Sequence, residues 1–442
     1  MSLKRFRLSM AALAAGLALG APLAAGAQSL QELYEAARGF DATYLAAKAL
    51  ADSAQYRAEQ SEALGRPSAA LTANASTAQV DPPVIDRGSS NSVGTALAGR
   101  YPLFNRANGV TIEQARKSLL TAQADLDTAE QDLIVRVAQA YFDVLAAQDT
   151  LATTRANKAA TAEQLASAKR NFEVGTATIT DTREAQARFD LGTAQELAAE
   201  NDLRTKRIAL DQLVGRGNVA PKPLAVPVVL PSPVPANAEE WVTVADSQHP
   251  TIRKARVGLE VANLEISKAR AGNLPTVDAV ARLGLSRASG SSLAVTPGNT
   301  TSASLGVEMN WPLYTGGATQ NRIKETLALE EKARNDLEAA RRGVAQGTRV
   351  AYFGVQSGLS QVKALEAAES SSKLALEATQ LGYRVGVRVN LDVLNAQTQL
   401  FQTQRDLAKA RYDVLLNSLK LRQASGQLQP TDVGSIEALL AK

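Results

Sequence analysis

Two hydrophobic periods alternate along this chain. From Pro67 the apolar residues fall on odd positions, Ala69, Leu71, Ala73 and Ala75, while Ser68, Thr72, Asn74 and Ser76 take the even ones. After a polar stretch containing Asp81-Pro82-Pro83 and Gly88-Ser89-Ser90-Asn91 the alternation resumes with Val93, Leu97, Tyr101 and Leu103 against Ser92 and Arg100. The same figure returns later. Ala279, Ala281, Leu283 and Leu285 stand against Asp278, Arg282 and Ser286; after a second polar stretch, Ala303, Leu305, Val307, Met309, Trp311 and Leu313 oppose Ser302, Ser304, Glu308 and Asn310. A period of two places alternate side chains on opposite faces of a strand. It predicts two β-hairpins, at about 67–103 and 275–313, with about 10–13 residues per strand. That is the length and dyad pattern of outer-membrane barrel strands, although a soluble antiparallel sheet shows the same alternation.

Elsewhere the period is helical. Leu119, Ala122, Leu126, Ala129 and Leu133 step by three and four, and Ile134, Val137, Tyr141, Val144 and Leu151 continue the stripe, interrupted by Gln148. Such spacing reads as a coiled-coil seam, with Ala at many contacts letting helix axes approach closely. Long helices are expected over about 112–173 and 319–383, with returning helices over about 180–214 and 390–424 that end at Gly215 and Gly426. Shorter helices precede each hairpin. Ser29-Leu30-Gln31-Glu32 and Asn237-Ala238-Glu239-Glu240 have the form of a capping box. The following helices, roughly 41–65 and 251–272, stop before Arg66-Pro67 and Leu274-Pro275, because Pro disfavours helix at and before itself.

The two halves are copies. Phe172-Glu173-Val174-Gly175 matches Tyr383-Arg384-Val385-Gly386 at an offset of 211 residues (383 − 172), and Asp181 matches Asp392. The offset holds without a gap from Ala140-Tyr141-Phe142 to Gly215, whose mates are Ala351-Tyr352-Phe353 and Gly426. A fixed period over such a span indicates internal duplication. The chain therefore divides into 28–215 and 237–426, joined by a connector, 216–236, that holds six prolines, and followed by a tail, 427–442. Gly175 and Gly386 sit where the hairpin turns require a positive φ.

Composition narrows the chemistry. There is no Cys and a single His, His249, which lies beside Pro250 and reads as a surface or capping residue. Disulfides, thiolate metal sites and Cys nucleophiles are thereby excluded, and no nucleophile–base pair, metal cluster or phosphate loop stands out, so neither enzyme activity nor a cofactor is expected. Residues 1–27 read as a secretory signal peptide, with Lys4, Arg5 and Arg7 ahead of an apolar run and Ala25-Gly26-Ala27. Their removal takes the net charge from +4 to +1 (4 − 3). With no basic patch interleaved with aromatics, nucleic acid is not an expected partner. The mature chain has no stretch apolar enough for a membrane helix, so any crossing must be made by strands.

Four strands cannot close a barrel, and lipid does not tolerate an open sheet edge. Two chains would supply eight strands and three chains twelve; eight leave an interior that side chains nearly fill, twelve leave a passage. The Pro-flanked hairpins, Tyr101-Pro102-Leu103-Phe104 and Trp311-Pro312-Leu313-Tyr314, the Tyr-Phe pairs and the two Val-Gly turns resemble the TolC family of outer-membrane factors over about residues 28–430. The resemblance implies an α+β fold: a long antiparallel helical-hairpin coiled-coil tunnel joined to a transmembrane β-barrel of four strands per chain, twelve-stranded in a homotrimer. It implies a channel exporting small molecules, proteins or both, in the outer membrane, with a periplasmic adaptor (membrane fusion) protein and an inner-membrane pump of ABC, RND or MFS type as partners. The missing Cys after the leader fits the branch without a lipid anchor.

The same resemblance places a gate at the hairpin tips. It implies links from Asp181 to the Tyr383 hydroxyl and from Arg388 to Thr180, with Asp392 contributing one carboxylate per chain to a constriction. The family's second acidic position falls at Asn395, neutral here, while its repeat mate Glu184 is acidic. Read as residues alone, Asp181 and Asp392 also suit helix N-termini, where carboxylates satisfy free amides. The rival reading of the whole chain is a soluble periplasmic coiled-coil scaffold without a pore.

Overall fold

The computed structural model describes residues 28–80, 88–225, 227–290 and 297–441. Residues 1–27, the expected signal peptide, and the centres of both polar hairpin loops lie outside these. Four strands form one antiparallel sheet in the order β1-β2-β3-β4: β1 Ser68–Val80, β2 Gly88–Phe104, β3 Thr276–Gly290 and β4 Gly298–Asn310. Register keeps parity in every strand pair up to Pro102. Leu71 pairs with Leu97, Leu97 with Leu283, and Leu283 with Ala303, so every odd position shares one face. That face is bare: Leu71 is 74% exposed and Leu305 86% exposed. Apolar odd positions run along β3 from Val277 to Leu285, about 27 Å of strand at ~3.4 Å per residue, and the pattern ends at Arg287.

The even face is polar. Ser76 and Ser92 share a hydrogen bond of 2.7 Å, and Arg100 Nη2 donates to Asp278 Oδ2 at 2.5 Å, with Glu308 directly across from Asp278. Pro102 does not end its strand as its repeat mate Pro312 does. β2 continues to Phe104, with the register slipping between Pro102 and Phe104, where the ladder lacks a donor.

The helices are α1 Leu30–Phe40, α2 Ala42–Glu62, α3 Arg106–Glu173, α4 Ile179–Val214, α5 Ala238–Gln248, α6 Pro250–Ala271, α7 Ala318–Arg384, α8 Asn390–Ala424 and α9 Pro430–Glu437. At 1.5 Å per residue, α3 with 68 residues is a rod of about 100 Å. It starts earlier than its apolar period suggested because Asn105 caps it, Oδ1 accepting from the Asn108 amide at 3.1 Å. Ser29 and Glu32 form the expected capping box; at Asn237 the side chain caps the Glu239 amide at 3.0 Å, and Glu240 does not return a bond. His249 caps α6, its Nδ1 accepting from the Thr251 amide at 3.1 Å. The tail is not merely a tail: Pro430 at the first turn, with the Asp432 carboxylate accepting from the Gln429 N–H at 2.9 Å, starts α9.

Each long helix meets different partners at its two ends. Towards the sheet, α3 is tied to α2 by Arg116–Glu62 and to α6 by Lys117–Glu260, and α7 meets α6 through Arg322–Glu265. Towards the tips α4 returns along α3 through Arg155–Glu196, and α8 along α7 through Arg411–Glu366. The main apolar core sits between these halves. There α1, α3, α4, α8 and α9 bring together Leu33, Tyr141, Phe142, Leu210, Leu415 and Ile436. The Pro-rich connector is stitched into the same belt: Lys222 donates to Gln28 O, Ala225 to Leu439 O, and the buried Tyr141 hydroxyl to Lys222 O at 2.9 Å. Tyr352 is likewise buried, against Trp241, Val355 and Leu421.

Candidate functional site: the hairpin tips

Both hairpins turn by the same chemistry. At the end of α3, Gly175 takes φ 79°, its N–H donates to Phe172 O at 3.0 Å, and Thr176 donates to Asn171 O at 2.8 Å. At the end of α7, Gly386 takes φ 79°, donates to Tyr383 O at 3.1 Å, and Val387 donates to Gly382 O at 2.8 Å. This double bond pattern closes a helix with a left-handed residue, a conformation Gly adopts without steric cost.

The returning helices start differently. Thr178 and Asp181 form a reciprocal capping box at α4: the Asp181 amide donates to Thr178 Oγ1 at 3.2 Å, and the Asp181 carboxylate accepts from the Thr178 N–H at 3.0 Å and hydroxyl at 2.7 Å. At α8 the capping position is Val389, which has no side-chain acceptor. Arg388 instead reaches Asp392, Nη1 to Oδ2 at 3.5 Å.

Within the chain, then, the pairs expected from resemblance do not meet. Asp181 is occupied by its cap, and the Tyr383 hydroxyl accepts from Asn171 Nδ2 at 3.2 Å. Arg388 goes to the carboxylate four residues ahead rather than to Thr180, whose side chain is exposed. Asn395, exposed, accepts from Arg188 Nη2 at 3.0 Å, tying α8 to α4. Glu184 is half-buried and forms no ion pair among the described residues.

Residues that periodicity did not single out hold the hairpins together. Gln397 is 2% exposed, and its Nε2 lies 3.2 Å from Asn157 O, 3.3 Å from Asn157 Oδ1 and 3.2 Å from Thr161 Oγ1. Further from the tip, the Tyr412 hydroxyl donates to Asp149 at 2.6 Å while its ring stacks on Phe142. Burial pushes the Asp149 carboxyl above the ordinary range, a rise the Tyr412 bond opposes. The signal for Gln397 was in plain view: a polar residue on an apolar stripe. Its repeat mate Gln186, however, is only half-buried and bonds its own helix at Asp190.

Hairpin tips at one end, and at the other a sheet whose apolar face and two outer edges are open, have counterparts among known proteins. A family model described as outer membrane efflux protein matches residues 33–216 and 241–427. The chain belongs to the outer membrane efflux protein family. The outer membrane protein TolC of Vibrio cholerae is 34% identical over 413 residues, covering 93% of this chain and 94% of that one. The alkaline protease secretion protein AprF of Pseudomonas aeruginosa is 32% identical over 364 residues, covering 80% and 73%. Among solved structures, the outer membrane protein VceC of Vibrio cholerae superposes with a TM-score of 0.76 at 22% identity, covering 90% of this chain and 96% of that one, a match in fold. This efflux protein is accordingly an outer-membrane export channel whose helical tunnel extends into the periplasm, and not an enzyme. The scaffold reading falls with that membership. The odd face of its sheet is bare and apolar, and the even face carries Arg100, Asp278 and Glu308.

Proposed function

We propose that the channel is a homotrimer, delivered by the signal peptide at 1–27, in which three four-stranded sheets close a twelve-stranded barrel. The observation that supports this most is the sheet itself: one apolar face kept in register over four strands, with the outer edges of β1 and β4 unpaired among the described residues. Hydrocarbon allows neither open edge to stay open, and copies of the same chain supply the missing partners. At the periplasmic end the tips of the three chains converge and form the gate. Thr180, Asp181, Tyr383, Arg388 and Asp392 are its residues, with Gly175 and Gly386 shaping the turns. Asp392 supplies one carboxylate per chain, Asn395 leaves the second position neutral, and Glu184, the acidic repeat mate of Asn395, is the candidate to replace it. The channel has no energy source of its own, so a periplasmic adaptor docked to an inner-membrane pump of ABC, RND or MFS type drives cargo through it. Small molecules and proteins both fit this role; similarity to a protease secretion protein favours neither exclusively.

Deletion of the gene tests this reading. It predicts increased sensitivity to toxic small molecules, loss of one or more proteins from the culture medium, or both. Unchanged drug tolerance together with an unchanged secreted-protein profile would contradict it.

A further inference from the structure

The second tip departs from the first at two adjacent positions. Where the first hairpin has Thr178 as cap and Ile179 at the first helical residue, the second has Val389 and Asn390. Val389 cannot cap. Asn390 is 1% exposed, and neither its Nδ2 nor its Oδ1 has a hydrogen-bond partner. A buried carboxamide with no partner is costly and rare. Asn is also among the strongest helix N-caps. The observed start of α8 therefore places a good capping residue one position too late to cap, and in an enclosure where its amide is wasted.

A second start repairs both faults. If Asn390 leaves the helix and becomes the cap, its Oδ1 can accept from the amide of Asp392 or Val393 and its Nδ2 reaches water. The turn then gains one extended residue at the expense of the helix. Replacing a helical rise of 1.5 Å by an extended one of ~3.3 Å lengthens the path from Arg388 to Asp392 by about 2 Å. That change shifts Arg388 relative to Asp392, whose contact in the observed start is 3.5 Å. We propose that Asn390 gives α8 two alternative starts and that exchange between them moves Arg388 and Asp392, a positioning role that rests on the tips being the gate. The first hairpin, whose cap is complete, stays fixed and serves as the reference.

Two variants of the full-length trimer in detergent test this. Val389→Thr supplies a hydroxyl cap for the observed start at an exposed position, and Asn390→Ile removes the unpaired amide and copies Ile179. Hydrogen exchange is measured by mass spectrometry on the peptide spanning 387–396, with 176–184 as internal control, alongside single-channel recording. Both variants are expected to slow exchange at 391–393 at least about five-fold, the worth of one cap, to leave 176–184 unchanged, and to lengthen the low-conductance dwell times. Unchanged or faster exchange in both variants overturns the two starts. Slower exchange with unchanged gating overturns the placement of the gate at the tip and leaves the two starts standing.

Discussion

Replacing Gln397 by Met removes the carboxamide that pins α8 to α3 while keeping most of its volume. Gln397 has two N–H protons for three acceptors between 3.2 and 3.3 Å, so about two hydrogen bonds are lost. None of the acceptors is stranded. The Thr161 hydroxyl still donates to Asn157 O at 2.9 Å, and the Asn157 side chain is half-buried and can hydrate. At about 1 kcal/mol net per bond the loss is ~2 kcal/mol, with little cavity contribution from a side chain of similar volume. The population of molecules with α8 undocked from α3 should therefore rise roughly thirty-fold, since 1.4 kcal/mol is a factor of ten in an equilibrium. Hydrogen exchange of the 394–403 peptide in detergent-solubilised protein reads this directly. Gln186→Met, at the half-buried mate that bonds only its own helix, is the control and should change exchange less than about three-fold. Equal behaviour of the two variants would refute the claim that Gln397 couples the hairpins.

Leu283 lies mid-strand on the bare face, and Leu283→Arg should cost about 2–4 kcal/mol if that face meets the bilayer midplane; urea unfolding in lipid vesicles measures this, and a cost near zero would place water there. Asp41 caps α2 at the Tyr44 amide and receives a two-pronged bond from Arg136 at 2.8 and 2.9 Å, and that bond to Arg136 holds its carboxyl below the ordinary range. A depressed carboxylate contributes stability that is present above its unfolded pKa and is lost as pH falls through the folded one. Acid titration below about pH 4 should thus loosen α1 and α2 from α3 in the wild type, and Asp41→Asn should remove that component of the acid transition. Asp149 has the opposite sign: burial raises its carboxyl, so its contribution is present below the ordinary carboxylate pKa and lost as pH rises through the folded value. Asp149→Asn keeps an acceptor for the Tyr412 hydroxyl and should raise the thermal midpoint at neutral pH, with a smaller gain at pH 4; a lowered midpoint would show that the charge itself is needed.

Much of the architecture was readable because it rests on periods. Parity of Leu71, Leu97, Leu283 and Leu305 sets one face of the sheet regardless of which strands pair, and the 211-residue offset (383 − 172) locates both turns. What periodicity does not carry is competition between short-range and long-range partners. Thr178 lies three residues before Asp181, and that local capping box takes the carboxylate before Tyr383 can. Arg388 is likewise captured by Asp392 across one turn of chain. Nor does the repeat say that its copies have different surroundings. α8 lies against both α7 and α3, whereas α4 returns along α3, so Gln397 is sealed in and Gln186 is not. The same inequality makes Asn390 a buried orphan where Ile179 is exposed.

The gate at the tips is tested most directly by single-channel recording in planar bilayers, comparing the wild type with the double variant Asp181→Ala, Arg388→Ser. The first change removes the α4 capping box and the second the Arg388–Asp392 contact. A gate built from these residues predicts larger conductance and a reduced closed-state occupancy in the variant; conductance and occupancy equal to the wild type would place the closure elsewhere in the tunnel.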